Sequence, residues 1–295
     1  MKKKKTKLLV IGGTGFIGYH LIKKTVKLGW NVSSISRKKP SKVRKIKKVK
    51  YYLYDLNKLN KFENSFYNTY DYIVNLSHIS GVHQKNKAEK IINFSIEKKI
   101  KKFIHIGSSS EYGVSTNKPI LESSKCKPIS TYGRNKLALT KTLISNYRDK
   151  SFPVIILRLF QVYGPNDNNN KVLPYVIRNC IKDKKFKLTA GYQTRDFCYI
   201  DDVIKAIILV MKSKKDQLLG QIFNIAYGKS IKIRDLVKIV RKNIKRGVPK
   251  FGEKKIKKNE IILSNSSIKK IKKFTSWRPK KNLKDGIKLL IKYEK

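Results

Sequence analysis

The sequence predicts an α/β protein: a doubly wound parallel sheet followed by a smaller C-terminal α/β portion. Three observations predict it. Short uninterrupted apolar runs, the mark of strands buried on both faces, alternate with stretches whose apolar residues recur at helical spacing. The first run ends in a cluster of glycines that opens directly into a helical stretch. Finally, 295 residues that are 40 % hydrophobic can bury one large core or two ordinary ones.

Taken in order, Lys7–Ile11 reads as the first buried strand. Beyond Gly18, the residues Leu21, Ile22, Val26 and Leu28 keep helical spacing up to Gly29, a helix stop. Asn31–Ser36 is a second strand, Val49–Tyr54 a third that ends at Asp55-Leu56, and Tyr70–Leu76 a fourth. The amphipathic stretch from Ala88 to Ile100 precedes a fifth strand at Phe103–Ile106. A helix over Leu137–Tyr147 leads into the apolar strand Val154–Phe160. Past Pro165 a polar loop of asparagines is followed by a helix (Val172–Lys182), short strands and a strand at Phe223–Ala226. Ser230 is placed to cap a helix over Ile231–Ile244, and an amphipathic helix follows Trp277-Arg278-Pro279. The basic run Lys38–Lys50, interrupted by Pro40, reads as a mobile loop.

Lys and Arg total 70 against 19 Asp and Glu, a formal net charge of +51, which raises the question of a polyanionic partner. The distribution argues otherwise. Arg supplies only 11 of the 70 cations, and Lys is smeared over every segment rather than gathered on one face. Specific nucleic-acid readers concentrate charge and use Arg for bidentate base contacts, so no specific nucleic acid is expected. No apolar run approaches the roughly 18 residues that span a bilayer. The N-terminal lysines imitate the start of an export signal, yet Leu8–Ile11 stops at Gly12-Gly13, short of the roughly 7–15 apolar residues such a core needs. A cytoplasmic protein is expected. Cys126, Cys180 and Cys198, odd in number and widely spaced, suggest reduced thiols and no metal site.

The glycine cluster carries the first chemistry. In Gly12-Gly13-Thr14-Gly15-Phe16-Ile17-Gly18, glycines at 12, 15 and 18 allow a tight turn, close approach of backbone to a pyrophosphate, and close helix–sheet packing. The helix N-terminus offers amides and a positive dipole end to the phosphates. The residues Gly12, Thr14, Gly15, Phe16, Ile17 and Gly18 therefore read as the cofactor loop of a Rossmann-type sheet. At the end of the second strand, where an acid would bind both ribose hydroxyls of NAD, stands Ser36-Arg37-Lys38-Lys39. A guanidinium at Arg37 can grip a 2′-phosphate bidentately, so NADP is preferred over NAD. Further on, Tyr132 and Lys136 are four apart and share one helix face. A phenol titrates near 10 and acid–base work wants a value closer to neutral, which a neighbouring ammonium and a nicotinamide cation would favour. Ser108, in Gly107-Ser108-Ser109-Ser110-Glu111-Tyr112-Gly113 just after the fifth strand, can hydrogen-bond a substrate carbonyl or alkoxide.

With these motifs on the page, the sequence resembles the extended short-chain dehydrogenase/reductase superfamily, the NAD(P)-dependent nucleotide-sugar epimerases, dehydratases and ketoreductases. The likeness runs nearly end to end: Gly12–Gly18, Asp55-Leu56, Gly107–Gly113, Tyr132–Lys136, Leu157–Pro165, Arg195–Val203 and Trp277-Arg278-Pro279. It implies that Ser108, Tyr132 and Lys136 form the catalytic set, with Lys136 also holding the nicotinamide ribose. By the same resemblance Asp55 meets the adenine amino group with Leu56 beside it. Leu76 and Ser77 line the nicotinamide side, Ser109 and Ser110 face substrate, and Arg195 contacts a substrate diphosphate. The implied domains are a NAD(P)-binding Rossmann domain at 1–165, completed by 197–226, and a nucleotide-sugar substrate domain at 166–196 and 227–295. A homodimer is compatible with the resemblance.

Departures narrow the expected reaction. The family's 4,6-dehydratases follow the catalytic Thr with an acid pair, whereas here Ser109 and Ser110 follow Ser108, and Glu111 stands one position too late. The segment from His78 to Phe94 is shorter than in relatives. Hydride chemistry remains: reduction of a 4-keto (deoxy)sugar with the Ser–Tyr–Lys set, or epimerisation with retained NAD, making a sugar for surface polysaccharide. The alternative from another class is a catalytically inactive NAD(P)-binding regulator or RNA-binding protein; the complete Ser108/Tyr132/Lys136 set speaks against it.

Overall fold

The computed structural model describes residues 5–56, 69–79, 84–113, 119–256 and 259–295. In chain order its elements begin with β1 (Lys7–Ile11), α1 (Phe16–Lys27), β2 (Asn31–Ser36), β3 (Lys50–Leu53), β4 (Tyr72–Asn75), α2 (Gln84–Glu97), β5 (Lys102–Ser108), α3 (Thr131–Lys150) and β6 (Val154–Leu159). They continue with β7 (Gln161–Tyr163), α4 (Val172–Ile181), β8 (Lys185–Leu188), β9 (Thr194–Tyr199), α5 (Ile200–Lys212), β10 (Ile222–Ile225), β11 (Ser230–Lys232), α6 (Ile233–Ile244), β12 (Val248–Phe251), α7 (Lys269–Phe274) and α8 (Leu283–Glu294). The chain divides into two compact units: Met1–Glu111, Thr131–Arg158 and Ile204–Phe223 make one, and Tyr112–Ser130, Leu159–Val203 and Asn224–Lys295 the other.

The first unit is built on a sheet with, among the described residues, the strand order β10-β6-β5-β4-β1-β2-β3. The pairings β1–β2, β1–β4, β2–β3 and β4–β5 are all parallel. Leu8, Leu9 and Val10 are fully buried, as a strand covered on both faces requires. One face packs Leu9, Ile11, Ile73, Phe103 and Ile156 against Ile91, Ile92 and Phe94 of α2 and Leu139 and Leu143 of α3. Register then decides where the chemistry lies. Ile11 is level with Ile35 and with Asn75, and Asn75 with His105. The residues that follow each strand, Gly12, Ser36-Arg37, Leu76-Ser77 and Ile106–Ser108, therefore leave the sheet at one C-terminal edge, where open α/β sheets bind ligands. Lys102 at the opposite end of β5 is buried, and its ammonium donates to the carbonyls of Val210, Met211 and Ser213, capping the C-terminus of α5.

In the second unit, β11, β9 and β7 form a sheet in that order, β11 antiparallel and β7 parallel to β9, while β8 and β12 pair in parallel. Helix α6 buries Ile233, Leu236, Val237 and Val240. Asn282 caps α8 by accepting from the Asp285 amide at 2.9 Å. Trp277 is buried, its indole N–H donates to the Asp202 carbonyl at 2.9 Å, and the Asp202 carboxylate accepts the amides of Lys280 and Lys281.

Two expectations change. The division between units falls elsewhere: 112–130, 159–165, 197–203 and 224–226 belong to the second unit, where Gln161–Tyr163 pairs with β9 and Ile120 donates to the Asn265 carbonyl. Ser230 is no helix cap. It is a strand residue level with Asp196, its hydroxyl bonded to Asn265, and the helix starts after Lys232. The basic run 38–50 contains a 3-10 turn at Lys42–Arg44, and Arg44 donates to the Thr14 carbonyl at 3.2 Å.

Candidate active site

The glycine loop forms the turn its sequence requires. Gly12 has φ +86°, a conformation costly for any residue with a Cβ, and its amide donates to the Ile35 carbonyl at 2.7 Å. A Cβ on Gly18 would lie 2.5 Å from the Gly12 carbonyl oxygen and 2.6 Å from the Gly13 Cα, so helix and loop are in backbone contact. No side chain caps α1 at Gly15. This is a cradle that a single Cβ would fill, at the positive end of a helix, and it fits a dinucleotide pyrophosphate.

A cavity of about 380 Å³ opens over this loop. Of the expected cofactor residues it is lined by Gly12, Thr14, Gly15, Arg37, Asp55, Leu56, Leu76 and Ser77. Phe16, Ile17 and Gly18 are not in its wall; Phe16 packs edge-on against His20, with ring centroids 5.3 Å apart. The same wall carries Ser36, Arg37 and Lys38, and the Ser36 hydroxyl accepts the Thr14 amide at 3.2 Å.

The expected catalytic residues gather at the same sheet edge. Lys136 is buried, and its ammonium donates to the carbonyls of Ser77 at 3.0 Å and Ile106 at 2.8 Å. Burial lowers its pKa to about 8, against a smaller raising influence of Glu111. The side chain of Ser108 is the neighbour that favours ionisation of the Tyr132 phenol. Desolvation raises the Tyr132 pKa although 45 % of the residue is exposed; Ser108 lowers it and Glu111 raises it. The sequence expectation that Lys136 lowers this phenol is thus replaced by Ser108 as the lowering neighbour. Ser108 accepts the Ser110 amide on its Oγ at 3.2 Å, and Ser109 and Ser110 lie in a single 3-10 turn, Ser109–Glu111. Arg195 lies on β9 in the second unit, donating to the carbonyls of Thr194 and Ile261 and to Glu260 at 2.8 Å.

One site residue escapes the sequence reading and another takes a different role. His78 lines the cavity with its ring centroid 5.1 Å from that of Tyr132, the planes 33° apart. Partial desolvation, then Lys136 and Arg37, hold its pKa below the usual value. Only four histidines occur in the chain, and that scarcity was the available signal. Glu111 is the other. It is fully buried and ion-paired within the core with Arg158 at 2.8 Å, which excludes it as a free acid.

A parallel sheet with a glycine cradle after its first strand and a Ser–Tyr–Lys cluster at the same edge is the construction of a short-chain dehydrogenase/reductase. Residues 8–226 match the family model described as the NAD dependent epimerase/dehydratase family, and the chain belongs to that family. It is 27 % identical to dTDP-D-glucose 4,6-dehydratase of Homo sapiens over 213 residues, 69 % of this chain and 59 % of that one. It is 25 % identical to CDP-abequose synthase of Salmonella muenchen over 323 aligned positions, 97 % of each chain. The structure is similar to UDP-glucuronic acid 4-epimerase from Bacillus cereus in complex with UDP-glucuronic acid and NAD, with a TM-score of 0.87, 25 % identity, and coverage of 98 % of this chain and 99 % of that one. The chain spans about half to three fifths of the length of several curated relatives it matches. Among the described residues no helix is long and apolar enough to cross a membrane.

Proposed function

We propose that the chain is an NAD(P)-dependent nucleotide-sugar oxidoreductase, in particular a 4-keto (deoxy)sugar reductase that prefers NADPH. The observation that carries the reading is the acid–base inventory around Tyr132. The two positions after Ser108 are serines, and the next carboxylate along the chain, Glu111, is consumed by Arg158 and Thr140. With no acid free in this turn to expel water, the reading is exchange of a hydride and a proton. When bound, a nicotinamide dinucleotide supplies the hydride. Tyr132 delivers the proton to the carbonyl oxygen, so that a ketone, one hydride and one proton give a secondary alcohol. Ser108 donates a hydrogen bond to that oxygen as negative charge develops on it. Lys136 holds the ribose hydroxyls and supplies a positive charge on the Tyr132 face of α3. The absence of a carboxylate at Ser36-Arg37-Lys38 supports NADP over NAD. Arg195 would take the diphosphate of a nucleoside-diphosphate sugar in exchange for the carboxylate of Glu260, both being anions matched to its planar fork.

The second reading is an epimerase with retained NAD, favoured by the overall likeness to the Bacillus cereus epimerase. One experiment separates them. Purified protein is mixed with NADPH or NADH and nucleotide 4-keto-6-deoxysugars while nicotinamide absorbance is followed, and separately with nucleotide hexoses. Loss of absorbance, abolished in Tyr132→Phe, supports the reductase; tightly co-purifying NAD and hexose interconversion support the epimerase. If neither occurs and Tyr132→Phe changes nothing, the enzyme reading fails, and dinucleotide binding without turnover would mark a regulator.

A further inference from the structure

We propose that Glu111 is a positioning residue for the reaction, holding Ser108 in the orientation that presents its hydroxyl to Tyr132. The proposal rests on the Ser–Tyr–Lys reading above and deepens it. Its basis is a reciprocal set of bonds at the end of β5. The Ser108 Oγ accepts the Ser110 amide at 3.2 Å, while the Ser108 amide donates to Glu111 Oε1 at 2.8 Å. This Ser-x-x-Glu exchange is the pattern of a capping box, used here on a single turn. With an oxygen lone pair engaged by the Ser110 amide, the hydroxyl proton is left to donate outward, toward Tyr132 in the free protein and to the substrate oxygen once one is bound.

The second carboxylate oxygen is fixed from behind. Glu111 Oε2 accepts Arg158 Nε at 2.8 Å and Thr140 Oγ1 at 3.0 Å. Thr140 is not an arbitrary partner: Tyr132, Lys136 and Thr140 succeed one another at intervals of four along α3 and share one face. One carboxylate therefore ties together the strand that carries Ser108, the helix face that carries Tyr132 and Lys136, and β6. Glu111 is fully buried, Thr140 and Arg158 are each 2 % exposed, and a Cβ on Gly107 would lie 2.5 Å from Glu111 Oε1, so the carboxylate has no room to take another position. A carboxylate retained only to neutralise Arg158 would not need its other oxygen on the Ser108 amide.

The test must separate positioning from simple charge. The Glu111 charge by itself raises the Tyr132 pKa, whereas the Ser108 hydrogen bond lowers it. Removing both buried charges together in E111V/R158M avoids stranding a lone guanidinium. If the pair acts only through its two charges, their joint removal has opposing effects on the Tyr132 phenol and its titration stays within a few tenths of a unit. If it positions Ser108, the phenol titrates higher, by half a unit or more. Thr140→Val, which removes one clamp and no charge, should shift it the same way by less. The readout is 13Cζ-tyrosine NMR, with the Tyr132 signal identified by its loss in Tyr132→Phe, and it needs no substrate. Turnover should fall about tenfold or more in the double variant with KM for the nucleotide sugar changed less than threefold. An unchanged or lowered Tyr132 titration in a folded, dinucleotide-binding variant overturns the proposal. Should the double variant not fold, Thr140→Val decides alone on the same sign. Failure of the wild type to turn over any substrate would overturn the enzyme reading and leave the titration result standing by itself.

Discussion

Lys136→Met is expected to separate what the active site needs from what the fold needs. Lys136 is 4 % exposed, and burial lowers its pKa from 10.5 to about 8. At roughly 1.4 kcal/mol per unit, that gap corresponds to about 3 kcal/mol spent on keeping an ammonium inside the folded protein. The sign follows from proton counts. Below pH 8 both states carry the proton and the cost is borne in full. Between about 8 and 10.5 only the unfolded chain holds it, so stability rises with pH; above that the contribution is flat. Methionine removes the ammonium and also two hydrogen bonds, to the carbonyls of Ser77 and Ile106. Hydrogen bonds from charged groups are worth about 1.5–3 kcal/mol each, so the loss of about 3–6 kcal/mol equals or exceeds the relief at pH 7, and Lys136→Met should melt level with wild type or up to roughly 12 °C below it. The diagnostic is the difference across pH. At about 2–4 °C per kcal/mol for a unit of this size, wild type should gain roughly 6–12 °C on Lys136→Met as pH climbs from 7.5 to 10.5. Differential scanning calorimetry on nucleotide-free protein measures this, and the subtraction cancels the other lysines. Melting curves that run parallel over that range would refute the reasoning.

Arg37→Ala should remove a charge-assisted contact worth about 1.5–3 kcal/mol, shifting the NADP-to-NAD affinity ratio roughly 10- to 100-fold toward NAD by titration calorimetry. In Gly18→Ala the new Cβ would meet the Gly12 carbonyl oxygen at 2.5 Å, and overpacking of this kind costs about 1–3 kcal/mol. Its melting temperature and its dinucleotide affinity should therefore fall together. Asp202→Asn keeps the shape of the side chain that accepts the Lys280 and Lys281 amides but loses its charge. About 1.5–3 kcal/mol should disappear from the second unit, read as earlier proteolysis after Trp277, with nicotinamide binding unchanged.

What was legible in the sequence is what depends on neighbours in sequence. The glycine loop, the stop at Gly29 with φ +80° and the four-residue spacing of Tyr132 and Lys136 are local, and the structure keeps each of them. The strand runs survive because burial on both faces demands unbroken apolar sequence. What was not legible joins distant segments. Glu111 meets Arg158 across 47 positions, and Arg195 meets Glu260 across 65. Ser230 has the chemistry of a helix cap, yet antiparallel pairing with Asp196 holds it in β11, since ladder bonds to β9 outweigh a single cap. The His78 ring against Tyr132 follows from β4 and α3 meeting at one sheet edge, which no periodicity encodes.

The charge balance also reads differently once positions are known. With 70 cations over 295 residues, a lysine is tolerated wherever solvent reaches and carries little information. Carboxylates are the scarce charge, 19 in all, and three of them sit where no solvent could have selected them. Glu111, Asp196 and Asp202 are at most 1 % exposed. Each accepts bonds from more than one donor: Glu111 from Ser108, Thr140 and Arg158; Asp196 from Tyr227, Gly228 and Ser266; Asp202 from Lys280 and Lys281. Burying a charge is costly unless such donors converge on it. A composition drifting toward lysine can therefore replace acids at the surface with little loss, but not at these three junctions, where backbone amides would be left without an acceptor. In this chain the positions of the few anions, more than the number of cations, mark where the fold and the Ser108 turn are held.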